Sequence, residues 1–217
     1  MLLVTGGAGF IGSNIVAALN DAGRADVAVC DFLGSDGKWR NLAKRQIADI
    51  VPPADLMLWL NGRKLDAVIH MGAISETTAT DGDLVIETNF RLSMRLLDWC
   101  TAHSVPFIYA SSAATYGDGD QGFRDDESLA ALKTLRPMNL YGWSKHLFDL
   151  ALMERVTRGE KMPPQWAGLK FFNVFGPNEY HKGPMMSVLA KRFDDIREGR
   201  VVQLFKSHRD GIADGDQ

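Results

Sequence analysis

The chain has 217 residues, 46% of them hydrophobic and 24% charged. That is ordinary for a soluble globular protein, and a chain of this size hides about 70% of its unfolded surface. A formal net charge of -3 gives no support for a nucleic-acid partner, and no basic run or long apolar stretch points to a membrane. The two cysteines, Cys30 and Cys100, match no metal or redox spacing. They read as reduced thiols in a cytoplasmic protein, Cys30 within a strand.

The opening "MLLVTGGAGFIG" is apolar but lacks the basic start of a signal peptide. "LLVT" is a short strand, followed by a glycine loop. "IGSNIVAALNDAG" then has helical spacing and ends at Gly23. "DVAVCDF" and "LDAVIHMGA" are buried-strand runs. Between them, residues 34–63 allow two short helices, or a helix and a strand. "FRLSMRLLDWCTAH" is helical, with Phe90, Met94, Leu97 and Cys100 on one stripe. "PFIYASS" is a strand, "YGWSKHLFDLALMERV" a helix and "LKFFNVFG" a further strand. Continuous apolar strands separated by helices predict a parallel sheet covered on both faces, an α/β fold. After Gly176 come a loop, a helix "SVLAKRFDDIREG" and a short strand "VVQLF". Residues 1–176 thus read as one domain and 177–217 as part of a smaller one. The polar end "SHRDGIADGDQ" looks cut mid-loop, so an open substrate cleft and weak turnover are expected.

The glycine loop "VTGGAGFIGSN" places Gly7, Gly9 and Gly12 in the spacing G-x-G-x-x-G. Gly6, Gly9 and Gly12 also fit G-x-x-G-x-x-G. Glycines there permit a tight turn, approach of backbone to a pyrophosphate, and close helix–sheet packing. The helix start offers N–H groups to phosphates. The strand–turn–helix context makes this a dinucleotide site of Rossmann-like, doubly wound type rather than a bare turn. Asp31 closes the second strand, where an acid binds a ribose hydroxyl and favours NAD. Lys38 or Arg40, close behind, can neutralise the 2′-phosphate of NADP, so the cofactor choice stays open.

Tyr141 and Lys145 share one helix face. A free tyrosine has a pKa near 10, and a neighbouring ammonium is expected to lower it. Alone, such a pair is most often an outward-facing one. Here "YASSAATYG" brings Ser111 and Ser112 to the carboxyl end of a strand expected in the same sheet, where open α/β sheets bind ligands. A serine there can hold a substrate oxygen while Tyr141 moves its proton. His70 reads as a packed strand-end histidine, and no metal site is expected.

Together the glycine loop, "HMGA", "TNF", "SSAATYG", "YGWSK" and "FFNVFGP" resemble the extended short-chain dehydrogenase/reductase family, over nearly the whole chain. The resemblance implies Ser112, Tyr141 and Lys145 as catalytic trio and hydride transfer between a sugar carbon and NADP, with NAD as the alternative. Ala113 and Ala114 stand where dehydratases of the family need an acidic pair. "NEYHKGPMM" resembles the lysine loop of the family's ADP-heptose 6-epimerase branch, which adds Lys182 as a second base beside Tyr141. Such a base needs a lowered pKa, and His181 is its neighbour in sequence. That branch implies an ADP-heptose substrate, a role in lipopolysaccharide heptose supply and a homo-oligomer.

By motif match, the cofactor contacts are Gly6, Gly7, Gly9, Phe10, Ile11, Gly12, Asp31, Phe32, Lys38, Met71, Gly72, Ala73, Ser75, Asn89, Tyr141, Lys145 and Val174. The substrate contacts are Ser112, Asn173, Lys182, Lys191 and Phe205. Three positions depart from the pattern. Pro53 replaces a cofactor-side lysine, Pro184 a serine, and Lys191 a histidine. The alternatives are a UDP-hexose 4-epimerase and a non-catalytic dinucleotide-binding module.

Overall fold

The computed structural model describes residues 1–203 together with 206, 207, 211 and 213. Six strands form one sheet: β1 (Leu2–Thr5), β2 (Val27–Cys30), β3 (Asp49–Val51), β4 (Ala67–His70), β5 (Phe107–Ser112) and β6 (Trp166–Phe171). Every neighbouring pair is parallel and the order is β3-β2-β1-β4-β5-β6. The order reverses direction between β1 and β4, which opens a crevice at the carboxyl ends of those strands.

The helices are α1 (Phe10–Asp21), α2 (Leu56–Trp59), α3 (Gly82–Val85), α4 (Leu92–His103), α5 (Leu129–Leu132), α6 (Leu140–Thr157) and α7 (Val188–Arg197). A π-helical segment, Ile86–Arg91, joins α3 to α4. Side chains alternate across a strand, so each strand feeds two cores. Leu3, Ala28, Val68 and Phe107 pack on one face with Leu97 of α4 and Phe148 of α6. Val4, Val27 and Val29 pack on the other with Val16 of α1 and Leu42. Truncating a side chain as enclosed as Leu97 costs about 2–5 kcal/mol.

The predicted α/β architecture holds, with three local differences. Residues 34–63 contain a 3₁₀ turn (Lys38–Asn41), then β3, then a 3₁₀ turn (Pro53–Asp55) running into α2. Three strand residues between Ala48 and Pro52 carry no periodic signal, and pairing with β2 is what reveals them. β6 starts at Trp166 and ends at Phe171, earlier than the apolar run suggested, because Trp166 to Phe171 pair residue by residue with Phe107 to Ser112. The apolar residues after Phe171 form a loop with Phe172 and Phe175 exposed. Val201 to Gln203 are not a strand; Leu204 and Phe205, and with Phe205 its expected substrate contact, lie outside the described residues.

Candidate active site

The glycine loop is held by backbone packing. Gly6 has φ +66°, and a Cβ there would stand 2.7 Å from Gly72 Cα. A Cβ on Gly12 would stand 2.1 Å from the Gly6 carbonyl oxygen, and one on Gly7 2.8 Å from the Val29 side chain. Gly9 differs: its Cβ would meet only the Gly6 oxygen, at 3.1 Å. Gly9 begins α1, where no side chain caps the amino end and no acid lies in the first turn. Such an end attracts phosphate. Three glycines are thus needed for packing and one for approach, which suits a dinucleotide.

Asp31 is positioned from two sides. One carboxylate oxygen accepts from the Ala8 N–H at 2.8 Å, and the other from Lys38 Nζ at 2.6 Å. Lys38 Nζ also donates to the Phe32 carbonyl. Arg40 instead lies over the Trp39 ring. Phe32 is exposed, and Ile11 half-buried.

The segment after β4 crosses the crevice. Met71 N–H donates to the Thr5 carbonyl and Gly72 N–H to Thr5 Oγ1. Ala73 is half-buried and Ser75 exposed. Asn89 holds Ile74 from both sides: its Oδ1 accepts from the Ile74 N–H and its Nδ2 donates to the Ile74 carbonyl. The same Nδ2 donates to Ser144 Oγ at 2.9 Å. Asn89 is fully buried on the π-helical segment, so its side chain serves the protein's own backbone.

Behind it runs a chain of hydrogen bonds that sequence reading missed. Ser93 Oγ donates to the Asn89 carbonyl, so toward His70 it acts as acceptor. His70 therefore carries its proton on Nε2, and Nδ1 accepts from Thr5 Oγ1 at 2.6 Å. Thr5 in turn accepts from Gly72 N–H. Burial, aided by the Lys145 charge, pushes His70 down to about 3, which keeps it neutral. Its sequence reading as a packed strand-end histidine holds. The available clue was polar residues, Thr5 and Ser93, on otherwise apolar faces.

Asn139 caps α6 by accepting from Gly142 N–H at 2.8 Å. A Cβ on Gly142 would stand 2.7 Å from the Ala114 carbonyl oxygen, so the first turn of α6 presses on the turn that follows β5. This approach brings Tyr141 into hydrogen bonding with Ser112, whose Oγ also accepts from Ala114 N–H. Lys145, one turn on, is buried. Burial lowers its pKa to about 8, against the opposing Asp149 carboxylate. Tyr141 departs from expectation. Burial pushes its phenol above the ordinary value, and the Ser112 hydrogen bond opposes this without reversing it. What opposes burial is the Ser112 hydrogen bond rather than the ammonium, and the Asp149 charge adds to burial. Ser111, by contrast, donates to Asp149 and faces inward.

The loop after β6 is fastened back onto the glycine loop and α1. Asn14 Nδ2 donates to the Pro177 carbonyl at 2.9 Å, and Asn178 Nδ2 to Ser13 Oγ at 3.0 Å. Asn41 bridges the Ala8 carbonyl and the His181 ring. His181 therefore turns to Asn41. The buried Glu179 carboxylate accepts from Gly176 N–H, Ser187 N–H and Ser187 Oγ. These bonds set Lys182 Nζ 5.3 Å above the Phe10 ring. Val174 and Asn173 are exposed on the same loop. Lys191 is exposed on α7, and its ammonium makes no hydrogen bond or ion pair among the described residues.

Residues 2–217 match the model of the "NAD dependent epimerase/dehydratase family". The chain belongs to that family. Membership makes a nicotinamide dinucleotide the cofactor class for the cradle just described. An ADP-L-glycero-D-manno-heptose-6-epimerase of Fusobacterium nucleatum is 44% identical over 221 residues, covering 100% of this chain and 65% of the relative. A namesake in Nitratidesulfovibrio vulgaris is 48% identical over 222 residues, covering 100% of this chain and 66% of its own length. The crystal structure of the Helicobacter pylori enzyme of that name superposes with a TM-score of 0.75 at 30% identity, over 92% of this chain and 64% of that one. The chain thus spans about two-thirds of the length of its family relatives. No helix among the described residues is long and apolar enough to cross a membrane.

Proposed function

We propose that this chain carries the cofactor cleft and reacting groups of an ADP-L-glycero-D-manno-heptose 6-epimerase. In this reading residues 1–176 hold NADP and residues 177–217 begin the sugar-nucleotide side. The observation that carries it is the fastening of the Lys182 loop onto the glycine loop and α1, in a chain where Tyr141 hydrogen-bonds Ser112 at the end of β5 with Lys145 buried one turn on. Identity of 44–48% to the named relatives supports the choice of sugar.

A nicotinamide dinucleotide bound there would supply a reversible hydride acceptor for carbon six. The remaining work belongs to side chains. Ser112 and Tyr141 hold the substrate oxygen through their hydroxyls. At neutral pH Lys145, near 8, is still largely ammonium, one turn from Tyr141, and favours release of the phenol proton. The oxygen loses its proton as carbon six is oxidised, and regains one after the keto-sugar turns over. The turned sugar presents its oxygen differently, so a second proton-transfer group is needed. Lys182 takes that part.

Gly6, Gly7, Gly9, Phe10, Ile11 and Gly12 cradle the pyrophosphate, and Asp31, Phe32 and Lys38 the adenosine end. Met71 to Ser75 and Val174 line the remaining length. Asn89 acts on the cofactor at one remove, by holding Ile74. Asn173, Lys191 and Phe205 are proposed to meet the substrate. A homo-oligomer, a cytoplasmic setting and service to lipopolysaccharide synthesis complete the reading.

Incubation with ADP-D-glycero-D-manno-heptose, followed by proton NMR of the sugar, tests it. Conversion to the L-glycero epimer, lost in Tyr141→Phe, is expected. Turnover of UDP-hexoses instead would move the reading to a 4-epimerase. Dinucleotide binding without turnover of either sugar would leave a binding module.

A further inference from the structure

Asp149 lies on α6 one turn beyond Lys145 and two beyond Tyr141, on the same stripe. It is buried, with one of its oxygens taking two donors. Tyr109 Oη donates to Oδ1 at 2.9 Å, Ser111 Oγ to Oδ2 at 2.7 Å, and Lys170 Nζ to Oδ2 at 2.8 Å. Tyr109 and Ser111 belong to β5 and Lys170 to β6. Lys170 Nζ also donates to Thr115 Oγ1 at 2.7 Å, and Thr115 Oγ1 donates to the Ser112 carbonyl at 2.8 Å. One carboxylate therefore ties the helix of Tyr141 to both strands beside it and, through Lys170 and Thr115, to the residue that holds Tyr141.

We propose that Asp149, steered by Lys170, is a positioning residue of the site: it anchors the Tyr141–Lys145 stripe to the end of β5 and supplies the fixed negative charge behind it. This rests on the reading of Ser112, Tyr141 and Lys145 as the reacting set.

The charged and titratable groups facing this stripe come from four elements. α6 itself supplies Lys145 and His146, β4 supplies His70, β5 supplies Tyr109, and β6 supplies Lys170. Arg136 acts on His146, and Tyr116 lies under Lys170. Of these neighbours Asp149 is the negative one, and it works to keep protons on both Tyr141 and Lys145. Lys170 partly cancels it. Removing either partner must therefore move Tyr141 in opposite directions, which mere loss of packing does not do.

The test needs no turnover. The chain has 4 tyrosines, so labelling every tyrosine with ¹³C at Cζ gives few resonances, and Tyr141→Phe assigns one of them. The Tyr141 signal is titrated from neutral to high pH in the wild type, Asp149→Asn, Asp149→Glu and Lys170→Met. Asp149→Asn should raise the Tyr141 acid dissociation constant about twofold to tenfold, for a unit charge some turns away. Lys170→Met should lower it, and Asp149→Glu should leave it near wild type. Circular dichroism checks that each variant is folded. If Asp149→Asn does not fold, the Lys170→Met direction alone decides. Shifts of the same sign in both variants, or no shift in a folded one, overturn the proposal. Failure to convert any sugar would overturn the epimerase reading while leaving this titration unaffected.

Discussion

The Lys38 ammonium lies 2.6 Å from the Asp31 carboxylate, and that carboxylate also holds the Ala8 N–H of the glycine loop. A 2′-phosphate arriving at this end of the cleft would compete with Asp31 for Lys38, whereas a 2′-hydroxyl needs only Asp31. Lys38→Ala should therefore weaken NADP binding about tenfold, the scale of one charge-assisted contact, and NAD binding much less. Fluorescence titration with each dinucleotide measures this. Equal losses would argue that Lys38 serves only to orient Asp31.

The four loop glycines should divide into two kinds. Gly12→Ala drives a Cβ to 2.1 Å from a backbone oxygen, so the turn itself must give way. Loss of stability is expected, visible as a clear drop in Tm. Gly9→Ala meets one oxygen at 3.1 Å. It should fold with a Tm near wild type but bind dinucleotide poorly. A Gly9→Ala protein that binds normally would remove the phosphate from that position.

His70 offers a sign-specific test of the buried hydrogen-bond chain. Its folded pKa, about 3, lies below the usual 6.5. The unfolded chain therefore takes up the proton first as pH falls. The contribution is fully present above pH 6.5 and is lost progressively down toward pH 3. The slope approaches about 1.4 kcal/mol per pH unit. His70→Gln should flatten the acid side of the stability profile by up to that slope, measured by urea unfolding between pH 5 and pH 7. Ser93→Ala, which strips the acceptor from Nε2–H, should cost about 1–3 kcal/mol at neutral pH. Parallel pH profiles for wild type and His70→Gln would mean that His70 is not held neutral.

Glu179 should control the Lys182 loop. Burial works to raise its pKa, but the N–H groups of Ser187 and Gly176, the Ser187 hydroxyl and the Lys182 charge together outweigh burial and hold it below the usual value. The contribution is present above the unfolded pKa and disappears as pH falls through the lower, folded one. Glu179→Gln should raise amide hydrogen exchange in residues 176–187 at neutral pH and leave the sheet protected. Unchanged exchange there would show that the loop is held by Asn14, Asn41 and Asn178 alone.

Much of the sheet was legible because buried parallel strands are apolar runs, as in "LLVT" and "PFIYASS". The glycine loop was legible because its spacing is itself the packing requirement seen at Gly6, Gly7 and Gly12. β3 was not, since three residues carry no period and their evidence is the partner strand. The end of β6 was misplaced because exposed apolar residues, Phe172 and Phe175, continue its pattern past the last pairing. In the site, Ser112 and Tyr141 were named from the sequence and are hydrogen-bonded in the fold, while Lys145 lies buried one turn further along the helix. The Asn89–Ser93–His70–Thr5 chain joins residues far apart in sequence, and only the fold brings them into line. The ionisation of Tyr141 was misjudged for the same reason. Sequence names the neighbouring ammonium but not the depth of burial, and here burial sets the direction.

The most direct measurement is incubation of the protein with ADP-D-glycero-D-manno-heptose deuterated at carbon six, under single-turnover conditions, with the sugar followed by NMR. The L-glycero epimer is expected with deuterium retained at carbon six. The product should be absent in Tyr141→Phe and sharply reduced in Lys182→Met. An epimer whose deuterium has washed out to solvent would contradict it, because that requires direct proton abstraction rather than hydride removal and return.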